Sequence, residues 1–191
     1  MKHKHLNFLA AVLIALAVTA GAVFQHSIVP SFREAPRIGG VAHVHHIRDG
    51  KVLATYGPFK NLVTNAAETA LRDCFGGTGT PSCTPVQNFK FHGIGTGTTA
   101  AAEGNTACET ELTTQYNPDN TRATGSQTNN GANIYRTVGT NTVDASVAIT
   151  EFCLQSDVDV GEGTMWTRIV FAAVNLVSGD SLQTTYDLTI E

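Results

Sequence analysis

The C-terminal stretch DSLQTTYDLTIE alternates between two kinds of side chain, and this period of two limits the possible folds more than any other feature. One set of positions is mostly apolar: Leu182, Thr184, Tyr186, Leu188 and Ile190. The positions between them are polar throughout. Such alternation is typical of an extended strand that turns one face to a core. VAHVHHIRDGKVLATYG and VQNFKFHGIG alternate similarly, and Asp49-Gly50 in the former predicts a two-residue hairpin turn.

One helix is predicted within this β-rich chain. TNAAETALRDCFGG has Asn65 as a capping residue, Glu68 to complete a capping box, and Gly76-Gly77 as a stop. Its apolar residues share one face, which should dock on a sheet: Ala67, Ala70, Leu71, Cys74 and Phe75. YNPDNTRATGSQTNNGAN is predicted to be a long surface loop. We therefore expect residues 41–191 to form an antiparallel β-sandwich with one short helix.

The N-terminus has a different character. A basic start precedes an uncharged apolar run from Leu6 to Phe24. Small residues around Ala20 fit an export signal cleaved at that point, and the same run would suit a helix that anchors the chain in a membrane. Residues 1–24 are therefore predicted to be a signal peptide or a hydrophobic membrane or anchor helix. Residues 25–40, which hold two prolines, are predicted to be a linker or extended arm.

The chain has four cysteines, which allow three disulfide connectivities. The sequence alone does not choose among them. We favour the pairs Cys74–Cys83 and Cys108–Cys153, because the first two bracket a short loop rich in Gly, Pro and Ser. Free, buried thiols in a reducing compartment are the alternative. The chain has no C-x-x-C motif, so neither a zinc ribbon nor thioredoxin-like redox chemistry is indicated.

Charge and motif context argue against nucleic acid and nucleotide ligands. The formal net charge is -4, and the basic residues form no stripe that would attract nucleic acid. The string from Gly95 to Ala100 fits the G-x-G-x-x-A pattern of a dinucleotide-binding loop. However, the strand before it alternates with polar residues, and Gly104-Asn105 interrupts the helix that should follow. We therefore expect a strand that ends in a glycine-rich loop, and no cofactor.

Two groups of residues are candidate metal ligands. His43 and His45 fall on one face of a strand and could bind zinc or copper if His26 or His92 supplied a third ligand. No sequence feature requires that third ligand. Exposed or interface histidines, whose protonation would make an interface sensitive to pH, are the other interpretation.

The second group is in SDVDVGEG, where Asp157, Asp159 and Glu162 resemble the start of a calcium loop. Position 12 of that loop would be Arg168, which cannot replace the usual bidentate Glu. An open turn between two strands explains the stretch equally well. The same hairpin is predicted to pair Glu151 with Arg168 across its strands.

No catalytic motif is present. The sequence has no G-x-S-x-G and no H-E-x-x-H. Glu109 and Glu111 are close enough to mimic a catalytic carboxylate pair, but nothing in the sequence marks a cleft around them. We therefore expect no catalytic residues and no small-molecule substrate.

Three segments, read together and in order, resemble structural proteins of tailed-phage virions. They are KNLVTNAAETAL (residues 60–71), IGTGTTAAAEGNTACETEL (94–112), and AITEFCL with TMWTRIVFAAVNLVSGDSLQTTYDLTI (148–154 and 164–190). The resemblance implies a β-rich structural subunit associated with a tail or capsid. Cys108 stands where that pattern usually has Leu, and Cys153 where it usually has Gly. Their joint appearance implies a disulfide between the two segments.

The function expected from this resemblance is that of a non-enzymatic virion subunit. Its partners would be copies of itself and other structural proteins of the assembly, with the membrane as a further partner through Leu6 to Phe24. The alternative is an exported subunit of an extracellular filament or a cell-surface adhesin built on the same β-sandwich. The expected location is accordingly the virion, or the cell surface after export.

Overall fold

The structure, a computed structural model, describes residues 38–76 and 83–191. Its strands are β1 (Ile38–Arg48), β2 (Lys51–Lys60), β3 (Leu62–Val63), β4 (Phe91–Gly95), β5 (Ala123–Thr124), β6 (Ser126–Asn129), β7 (Ile134–Thr142), β8 (Val147–Gln155), β9 (Met165–Leu176) and β10 (Ser181–Ile190). Its helices are α1 (Asn65–Cys74) and α2 (Thr84–Gln87). The prediction of a mainly β chain with few helices is confirmed.

The strands form two antiparallel five-stranded sheets. Sheet A has the order β2-β1-β10-β7-β6, and sheet B has the order β3-β9-β8-β4-β5. The sheets share one hydrophobic core, to which sheet A contributes Val44 and Tyr186 and sheet B contributes Ile94 and Phe152. The arrangement is therefore sandwich-like, with an inner face of each sheet turned to the core and an outer face turned away from it.

Strand β1 begins earlier than the sequence suggested. Ile38 already pairs with Ile190 of β10, although residues 25–40 were predicted to be linker or arm and the β-domain to begin at residue 41. The predicted hairpin turn is present, since Asp49 and Gly50 both have positive φ angles between the paired residues Arg48 and Lys51. Backbone pairing near the C-terminus therefore extends the folded part of the chain by three residues, from residue 41 to residue 38.

Helix α1 forms where it was predicted, but its ends differ. Thr64, and not Asn65, is the N-cap, and its hydroxyl accepts a hydrogen bond from the N–H of Ala67. Glu68 is thus one position too late to complete a capping box. Ala67 is buried as predicted, whereas Phe75 is 87% exposed because the helix ends at Cys74 and Phe75 lies in the turn that follows.

Two further predictions for short segments were wrong. Helix α2 adds a second helix to the single one expected, and it begins at Thr84 with Pro85 in its first turn, a position that proline favours. The polar stretch after Tyr116 was predicted to be one long surface loop, but it contains β5 and β6. Each of these strands pairs with the edge of a longer strand, so tertiary pairing overrides the turn-rich local sequence.

The hydrophobic segment predicted for residues 1–24, and residues 25–37 of the predicted arm, lie outside the described residues. Within residues 38–76 and 83–191, no helix is both long enough and apolar enough to cross a membrane.

A histidine lies inside the core between the sheets. His92 of β4 is fully buried, its Nε2 is 3.1 Å from the Thr137 hydroxyl, and its ring packs against Phe152. Burial lowers the pKa of His92 from 6.5 to about 3. The unfolded chain therefore binds a proton at this residue below pH 6.5, whereas the folded chain keeps it neutral until about pH 3. The free energy of unfolding falls as the pH falls through this window.

The substitution His92→Gln tests this linkage. Without the imidazole, the dependence of the unfolding free energy on pH should lose a slope of about 1.4 kcal/mol per pH unit in the acid range. Urea unfolding at several pH values below 6.5 measures the slope. The control Thr137→Val removes the hydrogen bond but leaves the ring buried, so it should keep the slope of the parent chain. Identical slopes for His92→Gln and the parent would contradict the assignment.

Candidate functional site

The outer face of sheet B carries a layer of charged side chains that three glycines make room for. Gly93 and Gly95 of β4, and Gly97 just after it, alternate with inward-facing or turn residues. A Cβ atom on Gly95 would lie 2.3 Å from the Thr110 carbonyl oxygen, and one on Gly97 would lie 2.7 Å from Glu151 Oε1. The glycine-rich motif thus allows close approach of a loop to the sheet, which a side chain would prevent.

This loop is the connection between β4 and β5, residues 96–122. It is bound by the carboxylate of Glu151, which lies on β8 and is fully buried. Its Oε1 accepts hydrogen bonds from the N–H groups of Gly97 (3.0 Å) and Thr110 (2.7 Å). Its Oε2 accepts from the N–H of Glu109 (3.0 Å) and from Arg168 Nε (2.6 Å). Four donors therefore surround one carboxylate. We call Glu151, Arg168 and Glu109, with these backbone donors, the Glu151 cluster.

The predicted pairing of Glu151 with Arg168 is confirmed, but it is a buried pair and not a surface one. The Arg168 side chain is only 2% exposed, and its Nη2 also donates to Glu109 Oε2 at 2.8 Å. Hydrogen bonds from the hydroxyl and the N–H of Thr99, with the charge of Arg168, lower the pKa of Glu109. Glu109 is therefore held ionised beside the arginine, at the surface end of the cluster.

A disulfide lies against the Glu151 cluster and fastens the same loop. Cys108 is bonded to Cys153 of β8, and Cys74 is bonded to Cys83, so the favoured connectivity is confirmed. A metal-binding role for Cys108, Cys153 and Glu151 is blocked while the disulfide stands, although their ligand atoms lie within 4.8 Å of one another. Two disulfides suggest that the protein resides in an oxidising extracellular environment.

A second buried arginine joins the loop to the β8–β9 connection. Arg122, just before β5, donates from Nε (2.6 Å) and Nη2 (2.8 Å) to the two oxygens of Glu111. Its Nη1 donates to the backbone oxygens of Asp157 and Glu162, both at 2.9 Å. Both ion-paired side chains are nearly inaccessible, at 1% for Arg122 and 8% for Glu111. We call Arg122, Glu111 and these two carbonyls the Arg122 cluster.

The two clusters divide the acidic pair formed by Glu109 and Glu111. Glu109 and Glu111, which could have formed a catalytic carboxylate pair, bind different arginines and lie in separate clusters. A bidentate arginine holds Glu111, and a hydroxyl, an amide and an arginine hold Glu109. The arrangement therefore fixes the connection between β4 and β5 on the outer face of sheet B.

The fold separates His92 from the other two histidine candidates that it describes. His43 and His45 lie half-exposed on the outer face of sheet A, and His45 Nδ1 contacts the Thr55 hydroxyl at 2.9 Å. His92 cannot join them, because it lies in sheet B and faces the core. His26 lies outside the described residues.

The acidic loop is organised by hydrogen bonds of its own. Asp157 Oδ1 accepts from the N–H of Asp159 at 3.0 Å, and the loop's carbonyls at residues 157 and 162 bind Arg122. In the part of the chain that the structure describes, Asp157, Asp159 and Glu162 do not converge as a set of metal ligands. The stretch forms the turn between β8 and β9, and its carbonyls at residues 157 and 162 accept hydrogen bonds from Arg122.

Sequence reasoning missed a third buried carboxylate, Asp180, in the turn before β10. It binds Arg48 through both oxygens (2.6 and 2.8 Å) and accepts from His46 and from the N–H of Val177. The Arg48 guanidinium, with the Val177 N–H and His46, holds the pKa of the Asp180 carboxyl well below its usual range. This group joins the β1–β2 hairpin to the β9–β10 turn at one end of sheet A.

Arg122 was also missed, because a single arginine in a polar, turn-rich stretch gives no sign that it is buried. No family model, curated protein or solved structure matches the chain. The contacts of the charged layer, and the segments that it joins, are therefore the basis on which a function is proposed.

The close approach at Gly95 is tested by comparison with a glycine that has free space. In Gly95→Ala the new methyl would meet the Thr110 carbonyl and the Glu151 carboxylate, so unfolding should become easier by about 1–3 kcal/mol or more. Gly104→Ala is the control, since nothing lies within 4 Å of its Cβ position, and it should change stability by less than about 1 kcal/mol. Denaturant unfolding with both disulfides intact measures each. Equal stabilities of the two variants would refute the packing account.

Proposed function

We propose that the chain is a non-enzymatic structural subunit of a phage-type virion, associated with the tail or capsid. It would act by self-assembly and by docking to other structural proteins of the particle. The β-sandwich is the rigid body of this subunit. The charged side chains on the outer face of sheet B hold the connection between β4 and β5 in one conformation.

The observation that carries the proposal is that the three segments on which the resemblance rests contact one another around sheet B. Leu62 of the first segment pairs with Arg168 of the third. The N–H of Asn65 in the first segment donates to the Glu103 carbonyl of the second at 2.9 Å. Glu151 of the third segment binds the second through the Glu151 cluster. Segments far apart in sequence thus form one structural unit, which supports treating the resemblance as a single pattern.

The mode of loop attachment also supports a structural role. Two buried arginines and a disulfide fix residues 96–122 against a sheet. Removing one partner of a buried ion pair costs about 3–5 kcal/mol, so such attachments hold a loop in one conformation. A subunit that must repeat the same contacts in many copies benefits from a connection held in this way.

An exported filament subunit or cell-surface adhesin is the second candidate. The observation that favours it is that one chain has both two disulfides and, in its sequence, an apolar run from Leu6 to Phe24. Disulfides form in exported proteins, and such a run is typical of export signals. The two candidates share the β-sandwich and differ in the assembly that it enters.

Particle purification separates the candidates. Particles are collected from a culture of cells that carry the gene for this chain and are separated on a density gradient. Peptide mass spectrometry then measures the ratio of this chain to the major capsid protein in each fraction. A virion subunit should keep one constant ratio in every particle-containing fraction. A filament or adhesin should instead remain with cells or with particle-free material, and that distribution would overturn the virion proposal.

A further inference from the structure

The connection between β6 and β7 carries an asparagine directly before a glycine. Asn130 and Gly131 lie in the loop between the two strands, and both residues are exposed. Asparagine is a thermolabile residue, because the backbone nitrogen of the residue that follows it can attack its side-chain carbonyl carbon. Glycine hinders this attack least, since it has no Cβ. The pair is therefore a candidate for a reaction of the chain with itself.

The geometry of the turn requires this glycine. Gly131 has a φ angle of +119°, a backbone conformation that residues with a side chain rarely adopt. No atom lies within 4 Å of the position that a Cβ would take, so solvent has access to the backbone at this point. The turn thus places the least hindered attacking nitrogen directly after Asn130.

The groups that must react are not held by other contacts. Within residues 38–76 and 83–191, the side-chain amide of Asn130 makes no hydrogen bond, and the N–H of Gly131 donates to no backbone oxygen. The N–H of Asn130 itself donates to the Ile134 carbonyl at 2.8 Å and so closes the base of the loop. The Asn130 carboxamide and the Gly131 nitrogen are therefore free to approach each other.

Two asparagines of the same hairpin lack this combination. Asn133 is exposed as well, but its Nδ2 donates to the Ile190 carbonyl at 3.1 Å, and the residue that follows it, Ile134, is β-branched and bulky. Asn129 lies in β6, where it is paired with Tyr135, and another asparagine follows it. Exposure is thus common to asparagines of this hairpin, whereas a free amide followed by glycine distinguishes one of them.

We propose that Asn130 converts, without an enzyme, to a mixture of aspartate and isoaspartate. The Gly131 nitrogen gives its proton to a solvent base and bonds to Cγ of Asn130. The bond from Cγ to Nδ2 breaks, and ammonia leaves with a proton from solvent, so that a cyclic imide remains. Water then adds to one of the two imide carbonyls, and the bond from that carbonyl to nitrogen breaks. Opening at Cγ gives aspartate, and opening at the main-chain carbonyl gives isoaspartate.

The reaction changes the edge of sheet A without entering its ladder. β6 is an outer strand of that sheet, and its last pair with β7 joins Asn129 to Tyr135. Both products carry a carboxylate that is ionised at neutral pH, and isoaspartate adds one main-chain atom between residues 130 and 131. The change is therefore confined to the loop. The new negative charge at a sheet edge disfavours the addition of a further strand.

A single peptide of the full, oxidised chain contains the reacting residue and both comparison residues. Trypsin cleaves after Arg122 and Arg136, so residues 123–136 are released together. The folded protein is incubated in ¹⁸O-labelled water, then denatured and digested in ordinary water, and mass spectrometry locates the label. Asn130 should take up label about tenfold faster, or more, than Asn129 and Asn133. Its rate should rise about tenfold per pH unit, because the attacking nitrogen must lose its proton.

Two substitutions separate attack by Gly131 from direct hydrolysis of the amide. Gly131→Ala adds a methyl group to the attacking residue and should slow labelling at Asn130 about tenfold or more, whereas Ala132→Ser keeps the glycine and should leave the rate unchanged. In the unsubstituted chain, electron-transfer fragmentation should find isoaspartate beside aspartate, since direct hydrolysis gives aspartate alone.

Three results would overturn the proposal. They are equal labelling of residues 130 and 133 in the folded, unsubstituted chain, aspartate without isoaspartate at residue 130, and an unchanged rate in Gly131→Ala. The first two do not depend on how the substitution affects the turn.

Discussion

The carboxylate of Glu151 is the interaction on which the rest of sheet B depends. It is fully buried, and it accepts hydrogen bonds from three backbone amides of the long connection and from Arg168 of the adjacent strand. A buried charge is tolerated only when its partners are complete, because desolvation costs several kcal/mol for each ion. Without the connection, three of the four donors to this carboxylate would be missing. The carboxylate thus requires the loop to be in place.

This constraint organises the molecule on both sides of sheet B. On the outer face, Gly93, Gly95 and Gly97 have no side chains and so leave room for the Glu151 and Arg122 clusters. The disulfide between Cys108 and Cys153 adds a covalent link. On the inner face, the same strands pack on sheet A through the common core. The polar layer fixes the connection between β4 and β5 on the outer face of sheet B.

Much of the fold could be predicted from local pattern, because periodicity and turn chemistry act between near neighbours. The β1–β2 hairpin, strand β10, helix α1 and the Glu151–Arg168 pair followed from such patterns. His92 did not, because β4 begins only at Phe91 and its outer positions are glycines, which give no hydrophobic signal to orient the strand. Arg122 and Asp180 acquire their roles from residues distant in sequence, and a polar residue in a turn looks the same whether or not a tertiary contact buries it.

Hydrogen exchange of three backbone amides tests the central claim most directly. The N–H groups of Gly97, Glu109 and Thr110 end on Glu151, so they should exchange as slowly as amides of the neighbouring strands, although they belong to a loop. In Glu151→Gln, which presents one acceptor and one donor in place of two acceptors, at least one of these amides should lose its protection while the sheet A amides keep theirs. Rapid exchange of all three in the unsubstituted protein, at the rate of an open loop, would contradict the account.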